Sequence, residues 1–367
     1  MIRTLVFILF FLPVAAFAQF TIKGRVLNST DKSPVANASV FLNNSVAGSK
    51  TDDNGLYKIT FVRPGQYDLV VSCVGYETVH QNIIVNGDLQ LADINLPPKI
   101  MMLDEVHIKP RTGWAQNYAL FKQYFFGTSK FAQMCRITTK GMPDILDLDR
   151  DSKTGVFTAK STDYFEIENR ALGYKIRYFL QDMTSEPSGH FYYEGTAAFE
   201  ELKGSSSEIR RWKKNRKEAY EGSSMHFLRC VVGNELTNEG FKVLRLIRKV
   251  DTVHKNNNDK AFSTLVNTPL KTAEFASRTT VTGEYALNFK DCLYVMYNKQ
   301  KAAKGKPVPA DWASTGWDDA QITTLIFSEP YTYFDNNGII INPASVAFDG
   351  NWGRRLMGEL LPVDYVE

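Results

Sequence analysis

The sequence of 367 residues lacks the signatures of several common enzyme classes. It holds no His-Glu-x-x-His zinc motif, no phosphate-cradling glycine loop and no Gly-x-Ser-x-Gly nucleophile turn. These absences argue against a zinc hydrolase, a phosphate-loop enzyme and a common serine hydrolase. We assign no catalytic, cofactor-binding or metal-ligating residue from the sequence and expect no cofactor. The five histidines are dispersed along the chain: His80, His107, His190, His226 and His254.

Long apolar runs and an excess of one charge are also lacking. After the N-terminus no stretch approaches about 18 uninterrupted apolar residues, so no transmembrane helix is expected. The 43 basic and 40 acidic residues give a net charge of +3, which argues neither for nor against a charged partner. The aromatic content of 13% indicates that most of the chain folds, and the length predicts two or three domains.

Cysteine is rare, with four residues in the chain: Cys73, Cys135, Cys230 and Cys292. Their spacings exceed those of a zinc knuckle, which argues against a cysteine-based metal site. An exported chain could form disulfides, and four cysteines allow three full pairings, among which the sequence does not choose. Cys73 continues a strand pattern with Tyr67, Leu69 and Val71 at alternate positions, which favours a buried thiol over a disulfide.

The N-terminus has the layout of a secretory signal peptide. Arg3 supplies a positive charge, residues 5–12 form a short apolar run, and residues 16–18, Ala-Phe-Ala, give the small-x-small cleavage pattern. A retained anchor is disfavoured because the apolar run is too short to span a bilayer. We therefore predict that residues 1–18 are a signal peptide and that the protein is exported, to the periplasm or the outer membrane.

Residues 19–96 show a succession of short strands separated by turn residues. Tyr57, Ile59 and Phe61 alternate with polar residues, and Asn-Gly and Pro-Gly pairs punctuate the segment. This spacing without a helical pattern is typical of a small β-sandwich. Residues 97–113, with three prolines and a glycine, are predicted to be an exit strand and a linker.

Residues 114–367 have a different, mixed pattern. Trp114, Tyr118, Phe121 and Phe125 recur at helical spacing and predict an amphipathic helix. Strand patterns return up to residue 200, a helical block covers residues 206–233, and further strands follow. The chain is therefore predicted to be multidomain, with an N-terminal all-β sandwich followed by a β-rich α+β region.

The segment from residue 23 to residue 79 closely resembles the carboxypeptidase-regulatory-like domain. The segment at residues 103–106, Leu-Asp-Glu-Val, is similar to the one that closes this domain in envelope proteins. The resemblance rests on these residues: Gly24, Val26, Pro34, Ala38, Val40, Thr51, Asp52, Asn54, Gly55, Tyr67, Leu69, Ser72, Gly75, Tyr76 and Glu77.

This resemblance implies a prealbumin-like β-sandwich, common in exported proteins of Gram-negative bacteria. In that family the module is an accessory without catalytic residues, and in some TonB-dependent transporters it precedes a plug and a barrel. Here only about 260 residues follow, and their helices and charged loops do not suggest a barrel. Residues 114–367 resemble an uncharacterised exported family that carries this domain first.

Two acidic stretches partly resemble a calcium loop. Residues 52–55, Asp-Asp-Asn-Gly, better fit a hairpin turn whose last two residues tolerate positive φ. Residues 147–151 carry Asp at alternate positions, but Ser152 and Thr158 stand where the loop needs a glycine and a bidentate glutamate. We therefore interpret the second stretch as a β-hairpin as well.

Residues 209–217, IRRWKKNRK, carry six basic residues around Trp212. One hypothesis is a helix that meets phosphates, lipid A or another anionic surface of the envelope. The favoured interpretation is a helix with a solvated basic face and an apolar face formed by Ile209, Trp212 and Ala219. Nucleic acid is not expected as a partner of an exported chain.

Two further clusters have a structural and a functional interpretation. Ser223 and His226 lie near Glu221, but without an oxyanion hole in view Ser223 is better explained as a helix N-cap. The aromatic clusters at residues 191–193 and 331–334 could line a sugar or peptide groove, although such clusters more often form core or cross-strand pairs.

The leading functional hypothesis is a non-enzymatic protein of the cell envelope. Its sandwich would stabilise or dock, and residues 114–367 would bind a protein partner or a glycan. The alternative is a periplasmic hydrolase of peptide or glycan with its site in residues 114–367. In that case folding would bring together acids such as Asp163, Glu166 and Glu168.

Overall fold

The computed structural model describes residues 19–99, 113–187, 191–250, 261–298 and 321–367. The predicted signal peptide and most of the predicted linker lie outside the described residues. The domain boundaries given above therefore stay predictions. Within the described ranges, no helix has the length and apolar character needed to cross a membrane.

The N-terminal part is a β-sandwich, as predicted. Strand β1 lies between β4 and β7 in one sheet and also pairs with β8, while the other sheet has the order β3-β2-β5-β6. Alternate residues point inward, and Val26, Val40 and Leu69 are fully buried. The strands are β1 (Phe20–Asn28), β2 (Ser39–Leu42), β3 (Gly48–Lys50), β4 (Leu56–Val62), β5 (Gly65–Ser72), β6 (Val79–Val85), β7 (Leu89–Gln90) and β8 (Ile94–Leu96).

The turn at residues 52–55 is present, but the prediction of a hairpin is wrong. It carries the chain between the two sheets, because β3 pairs with β2 and β4 pairs with β1. Asp52 Oδ1 accepts hydrogen bonds from the amides of Asn54 (2.9 Å) and Leu56 (2.8 Å). Gly55 has φ of 72°, and a Cβ there would lie 2.4 Å from the carbonyl oxygen of Val26. Asn54, in contrast, does not have a positive φ.

The next part is a six-stranded antiparallel sheet with α1 and α2 beside it. Strand β14 lies along one edge of β13, and β11 and β12 share its other edge. The predicted helix α1 is confirmed, since Phe121 and Phe125 are fully buried and stack at 5.0 Å. The elements are α1 (Trp114–Phe126), β9 (Cys135–Ile137), α2 (Met142–Ile145), β10 (Leu146–Arg150), β11 (Phe157–Ser161), β12 (Phe165–Asn169), β13 (Tyr174–Ser185) and β14 (Phe191–Glu201).

The predicted helical block at residues 206–233 is a pair of helices, α3 (Ser206–Tyr220) and α4 (Ser224–Gly233). A capping box fixes the start of α3, because Ser205 and Glu208 satisfy each other's amides. Gly222 separates the helices with φ of 71°, and a Cβ there would lie 2.4 Å from the ring of Tyr297. The chain can turn this tightly only because Gly222 lacks a side chain.

The C-terminal part adds two antiparallel sheets, so a β-rich α+β region follows the sandwich as predicted. One sheet has the order β16-β15-β19-β20-β22 and the other β17-β18-β21. Helix α4 packs against them through Phe227, which contacts Phe241 and Trp352. The strands are β15 (Phe241–Val250), β16 (Ala261–Val266), β17 (Ala276–Arg278), β18 (Glu284–Leu287), β19 (Cys292–Tyr297), β20 (Gln321–Phe327), β21 (Thr332–Asp335) and β22 (Val346–Gly350).

The β2–β3 loop, residues 43–46, fastens the sandwich to the six-stranded sheet. The amide of Asn44 donates to the carbonyl of Ala197 (2.7 Å), and the amide of Phe199 donates to the carbonyl of Ser45 (2.9 Å). Ser45 and Ala198 thereby form a parallel bridge on the edge of β14. The sandwich thereby adds one short segment to the edge of the six-stranded sheet. It lies beside the outer face of that sheet, the face that carries Arg177.

The last residues of the chain hold the same loop from the other side. The amide of Val363 donates to the carbonyl of Asn44 (2.6 Å), and the carboxylate of Asp364 accepts hydrogen bonds from the Ser45 hydroxyl (3.0 Å) and the Val46 amide (3.2 Å). The side chain of Val363 belongs to the hydrophobic core of the sandwich. The C-terminal residues are therefore part of the structure of the N-terminal sandwich.

Candidate functional site

A cleft runs between the sandwich and the outer face of the six-stranded sheet. It has two lobes, of about 740 Å³ and 470 Å³, which share His80, Gln181 and Thr196 in their walls. In the larger lobe, residues 72–78 of the sandwich face residues 162–164 of the sheet. Both walls rest on strands or on the short turns that follow them, so the cleft is built on rigid elements.

The alternation of β13 places an arginine and a phenylalanine in the larger lobe. Ile176, Tyr178 and Leu180 point into the core and are buried, so Arg177 and Phe179 point to the opposite face. That face meets the sandwich, and both residues line the cleft. The sequence alternation thus determines which side chains are available in the cleft.

Arg177 is held between two aromatic rings. Its Cζ lies 4.6 Å from the ring centre of Tyr164 and 5.7 Å from that of Phe41, and Nη1 donates to Ser39 Oγ (3.1 Å). Phe179 packs against Tyr164, with 5.4 Å between the two ring centres. Stacking and hydrogen bonding fix the guanidinium before any ligand arrives.

Burial raises the pKa of the Tyr164 hydroxyl, although Arg177 and the hydroxyls of Ser72 and Thr78 partly offset this effect. Tyr164 is therefore neutral at physiological pH. It offers an aromatic face and no negative charge beside Arg177, while its hydroxyl oxygen is buried. The smaller lobe has a different electrostatic character.

Four carboxylates line the smaller lobe, those of Asp68, Glu194, Glu284 and Asp335, with no lysine or arginine among its described lining residues. The Asp68 carboxylate lies 2.8 Å from His80 Nδ1, and this hydrogen bond raises the pKa of His80. Burial raises the pKa of Asp335 to about 6. The smaller lobe is thus acidic.

The larger lobe carries three basic and two acidic side chains. The basic ones are Lys50, Lys99 and Arg177, and the acidic ones are Glu77 and Asp163. A ligand that spans both lobes therefore meets an aromatic, mildly basic end and an acidic end. Such a gradient favours one orientation of an extended polar ligand over the other.

The acidic stretch at residues 147–151 is a hairpin, as predicted. Strands β10 and β11 pair directly, and Asp151 Oδ1 accepts hydrogen bonds from the amides of Lys153 (2.7 Å) and Thr154 (3.1 Å) in the turn. These bonds lower the pKa of Asp151. Within the described ranges, no group of three or more His, Cys, Asp or Glu side chains is placed to hold a metal ion.

The acids of the hydrolase hypothesis do not converge. Glu166 pairs with Lys175 (2.7 Å), and Glu168 accepts from Arg170 Nε (2.6 Å) and from Arg136. Burial raises the pKa of Glu168, but the bonds from the two arginines outweigh it and leave the pKa below its usual value. Of the three acids, Asp163 alone lines the cleft. In the folded protein Glu166 and Glu168 form ion pairs outside the cleft, so they do not meet Asp163 in one site.

Ser223 is the N-cap of α4, as predicted. Its hydroxyl accepts a hydrogen bond from the amide of His226 (3.1 Å). His226 itself is buried against Tyr220 and Phe241, and its Nδ1 accepts from the amide of Gly222 (3.2 Å). Burial lowers the pKa of His226 to about 4, so the ring is a neutral part of the core at physiological pH.

Helix α3 has the buried face and the basic face that the sequence predicted, with one correction. Trp212 and Ala219 are buried, but Ile209 is 42% exposed and does not belong to the apolar face. The Trp212 ring packs against Gly173, and its Nε1 donates to the carbonyl of Arg170 (3.0 Å). Of the six basic residues in IRRWKKNRK, Arg216 turns inward, over the ring of Tyr174.

The aromatic clusters lie away from the cleft's aromatic group. Residues 191–193 line an apolar cavity of about 290 Å³ beside Met225 and Trp352, and Tyr193 also lines the smaller lobe of the cleft. In the other cluster Phe334 is fully buried, while Tyr331 and Tyr333 stack outside at 6.0 Å. Alternation thus divides the second cluster as expected, and the first contributes to a cavity.

All four cysteines are unbonded thiols, which answers the open question of their pairing. Burial raises the pKa of Cys135 and Cys230 to about 12, so neither is a reactive thiolate. Cys73 is a thiol rather than half of a disulfide, as predicted, but it is only partly buried. It lies one residue beyond the end of β5, is half-buried and lines the larger lobe.

The structure is a β-sandwich that packs against a β-rich region, with the cleft between them. Residues 22–108 match the family model of the CarboxypepD_reg-like domain, so the sandwich is a CarboxypepD_reg-like domain. No curated protein matches the chain.

Several solved structures are similar to parts of the chain. A type II cohesin–X-dockerin complex from Acetivibrio cellulolyticus has 23% identity over 21% of this chain, with a TM-score of 0.20, and the match spans 56% of that protein's length. A DUF3823 family protein from Bacteroides ovatus has 10% identity and a TM-score of 0.19, over 51% of this chain and 100% of its own. One from Bacteroides uniformis has 8% identity and a TM-score of 0.17, over 86% of this chain and 99% of its own. Similarities this weak carry no argument about function.

Proposed function

We propose that the chain is an exported cell-envelope protein that binds a glycan in the cleft between the sandwich and the six-stranded sheet. The observation that carries this proposal is the group formed by Tyr164, Arg177 and Phe179 on the wall of the larger lobe. Sugar rings combine an apolar C–H face with hydroxyls, so they suit a wall that combines aromatic faces with fixed hydrogen-bond donors.

The sandwich forms half of this site. Its residues 72–78 face the aromatic group across the cleft, and Asn37 and Ser39 add polar atoms to the same lobe. The accessory domain thereby contributes directly to binding, in addition to any role in stability. The predicted signal peptide supports export, and export would place the cleft among the glycans of the envelope.

Titration calorimetry of residues 19–367 against a panel of envelope glycans tests this proposal. The Arg177→Gln variant should weaken binding about 10-fold or more, since it removes a preorganised cation from the site. Arg278→Gln is the matched control, because Arg278 also stacks on a tyrosine, with its Cζ 5.7 Å from the Tyr285 ring centre, but lies outside the cleft.

The Phe179→Ala variant is a second probe of the same wall, with Tyr331→Ala as its control on an exposed aromatic outside the cleft. Equal loss in probe and control variants would contradict a site in the cleft. Analysis of the glycan after incubation separates binding from the alternative function, because shortened products would favour the hydrolase.

A further inference from the structure

The exposed side of α3 carries a cluster of basic side chains. Residues 203–217 hold seven basic residues and one acid, Glu208, and Glu208 is engaged by the capping box with Ser205. Six of the seven basic residues lie in α3 itself, and the folded structure divides these six into two groups. Their partners show which of them are available to another molecule.

Two of the basic residues are used inside the protein. Arg216 donates to the carbonyls of Leu172 (2.7 Å) and Gly173 (3.3 Å) and to Glu201 (2.6 Å). Lys217 pairs with Glu221 (3.4 Å) and with Glu367. These two charges are therefore neutralised locally and serve the packing of the helix.

The basic face of α3 is formed by four others: Arg210, Arg211, Lys213 and Lys214. All four are exposed, and none forms an ion pair with another residue of the described ranges. At 3.6 residues per turn, Arg210, Lys213 and Lys214 fall within an arc of about 100°, and Arg211 lies about 60° beyond it. This arc lies opposite the buried Trp212 and Ala219.

We propose that the basic face of α3 docks the protein on a membrane surface that carries anionic phosphate headgroups. The four side chains are exposed along one side of a helix and line none of the four cavities described for this structure, so the face suits an extended charged surface better than a single small ligand. Trp212 is 4% exposed and does not insert into the bilayer. Association is therefore electrostatic and sensitive to salt. This proposal is independent of the glycan site.

Co-sedimentation with vesicles tests the proposal on residues 19–367, the chain without the predicted signal peptide. At low salt the protein should bind phosphatidylcholine vesicles that contain roughly one third phosphatidylglycerol and should not bind pure phosphatidylcholine. Salt at about 1 M should abolish binding, because the Debye length falls to about 3 Å. Binding to both vesicle types, binding that survives salt, or no binding at all would overturn the proposal.

Charge variants assign the binding to the helix. Replacing the four residues of the basic face by glutamine should weaken binding about 600-fold, at about 5-fold for each charge. The matched control replaces four exposed lysines elsewhere by glutamine: Lys23, Lys58, Lys140 and Lys153. Equal loss in both variants would overturn the assignment to α3. Tighter binding to soluble heparin than to the anionic vesicles would also overturn the proposal, in favour of a polyanionic glycan.

Discussion

Removing the guanidinium of Arg229 should release the C-terminal residues from the sandwich. Its three nitrogens donate to the carbonyls of Asn337 (2.8 Å), Tyr365 (2.9 Å) and Val363 (2.7 Å). Val363 and the residue after it hold the β2–β3 loop. The Arg229→Met variant keeps most of the aliphatic stem and removes every one of these donors.

The expected cost follows from the bonds that are lost. A hydrogen bond from a charged donor contributes about 1.5–3 kcal/mol, and part of the loss is recovered where the freed carbonyls reach water, so we expect about 3–5 kcal/mol. Hydrogen exchange measured by mass spectrometry reports this loss of stability separately for each segment. Amides in residues 43–46 and 363–365 should exchange at least about 100-fold faster in the Arg229→Met variant, since 1.4 kcal/mol corresponds to a factor of ten.

Arg278→Met is the control, because Arg278 is exposed and contacts a tyrosine without holding backbone carbonyls. It should leave exchange in both segments unchanged. If Arg229→Met also left both segments protected, the C-terminal residues would not depend on this arginine. The reasoning from the three carbonyls would then be refuted.

Three further predictions concern backbone strain, packing and pH. Gly173→Ala should lower the free energy of unfolding, measured by thermal unfolding, by about 3 kcal/mol or more, because its Cβ would lie 2.2 Å from Trp212. The control Gly75→Ala should lower it by only about 1 kcal/mol, because Gly75 also has a positive φ, of 84°, but no atom lies within 4 Å of its Cβ position. Phe61 is 75% exposed with φ of 63°, so Phe61→Asn should raise the free energy of unfolding by about 0.5–1 kcal/mol in urea, and a loss would contradict the strain. The pKa of His226 is about 4 in the folded protein and about 6.5 in the unfolded chain. Between these two values the unfolded chain binds more protons, so the free energy of unfolding falls as the pH drops from about 6.5 to about 4. His226→Gln should lose about 3 kcal/mol less than the wild type between pH 7 and 4, and parallel curves would refute this.

The local patterns of the sequence predicted local structure well. Alternation predicted most strands of the sandwich and placed Tyr67, Leu69 and Val71 inward, and helical spacing predicted α1 with Phe121 and Phe125 in its buried face. These predictions succeed because the period of side-chain direction depends only on the backbone of one element. The same alternation was available for β13 and would have put Arg177 and Phe179 on one face.

The cleft could not be predicted, because it depends on which surfaces meet. The sequence pattern predicts only that Arg177 and Phe179 point away from the core of their own sheet. In the folded protein the sandwich covers that face and places Phe41 and Ser39 in contact with Arg177. The hairpin prediction for residues 52–55 failed for a related reason. A turn has the same residues whether it joins two strands of one sheet or carries the chain to a second sheet, and only the packing of the sandwich decides.

The contact between the β2–β3 loop and the C-terminal residues sets an order of events in folding. Ser45 and Asp364 are separated by 319 positions, so the loop is synthesised well before its partner. A sandwich that forms early also lacks the side chain of Val363 in its core until that residue has been synthesised. Contacts of such sequence separation form late, because the intervening chain must first be ordered. The final assembly of the N-terminal domain, and of the cleft that it closes, therefore requires residues 363 and 364.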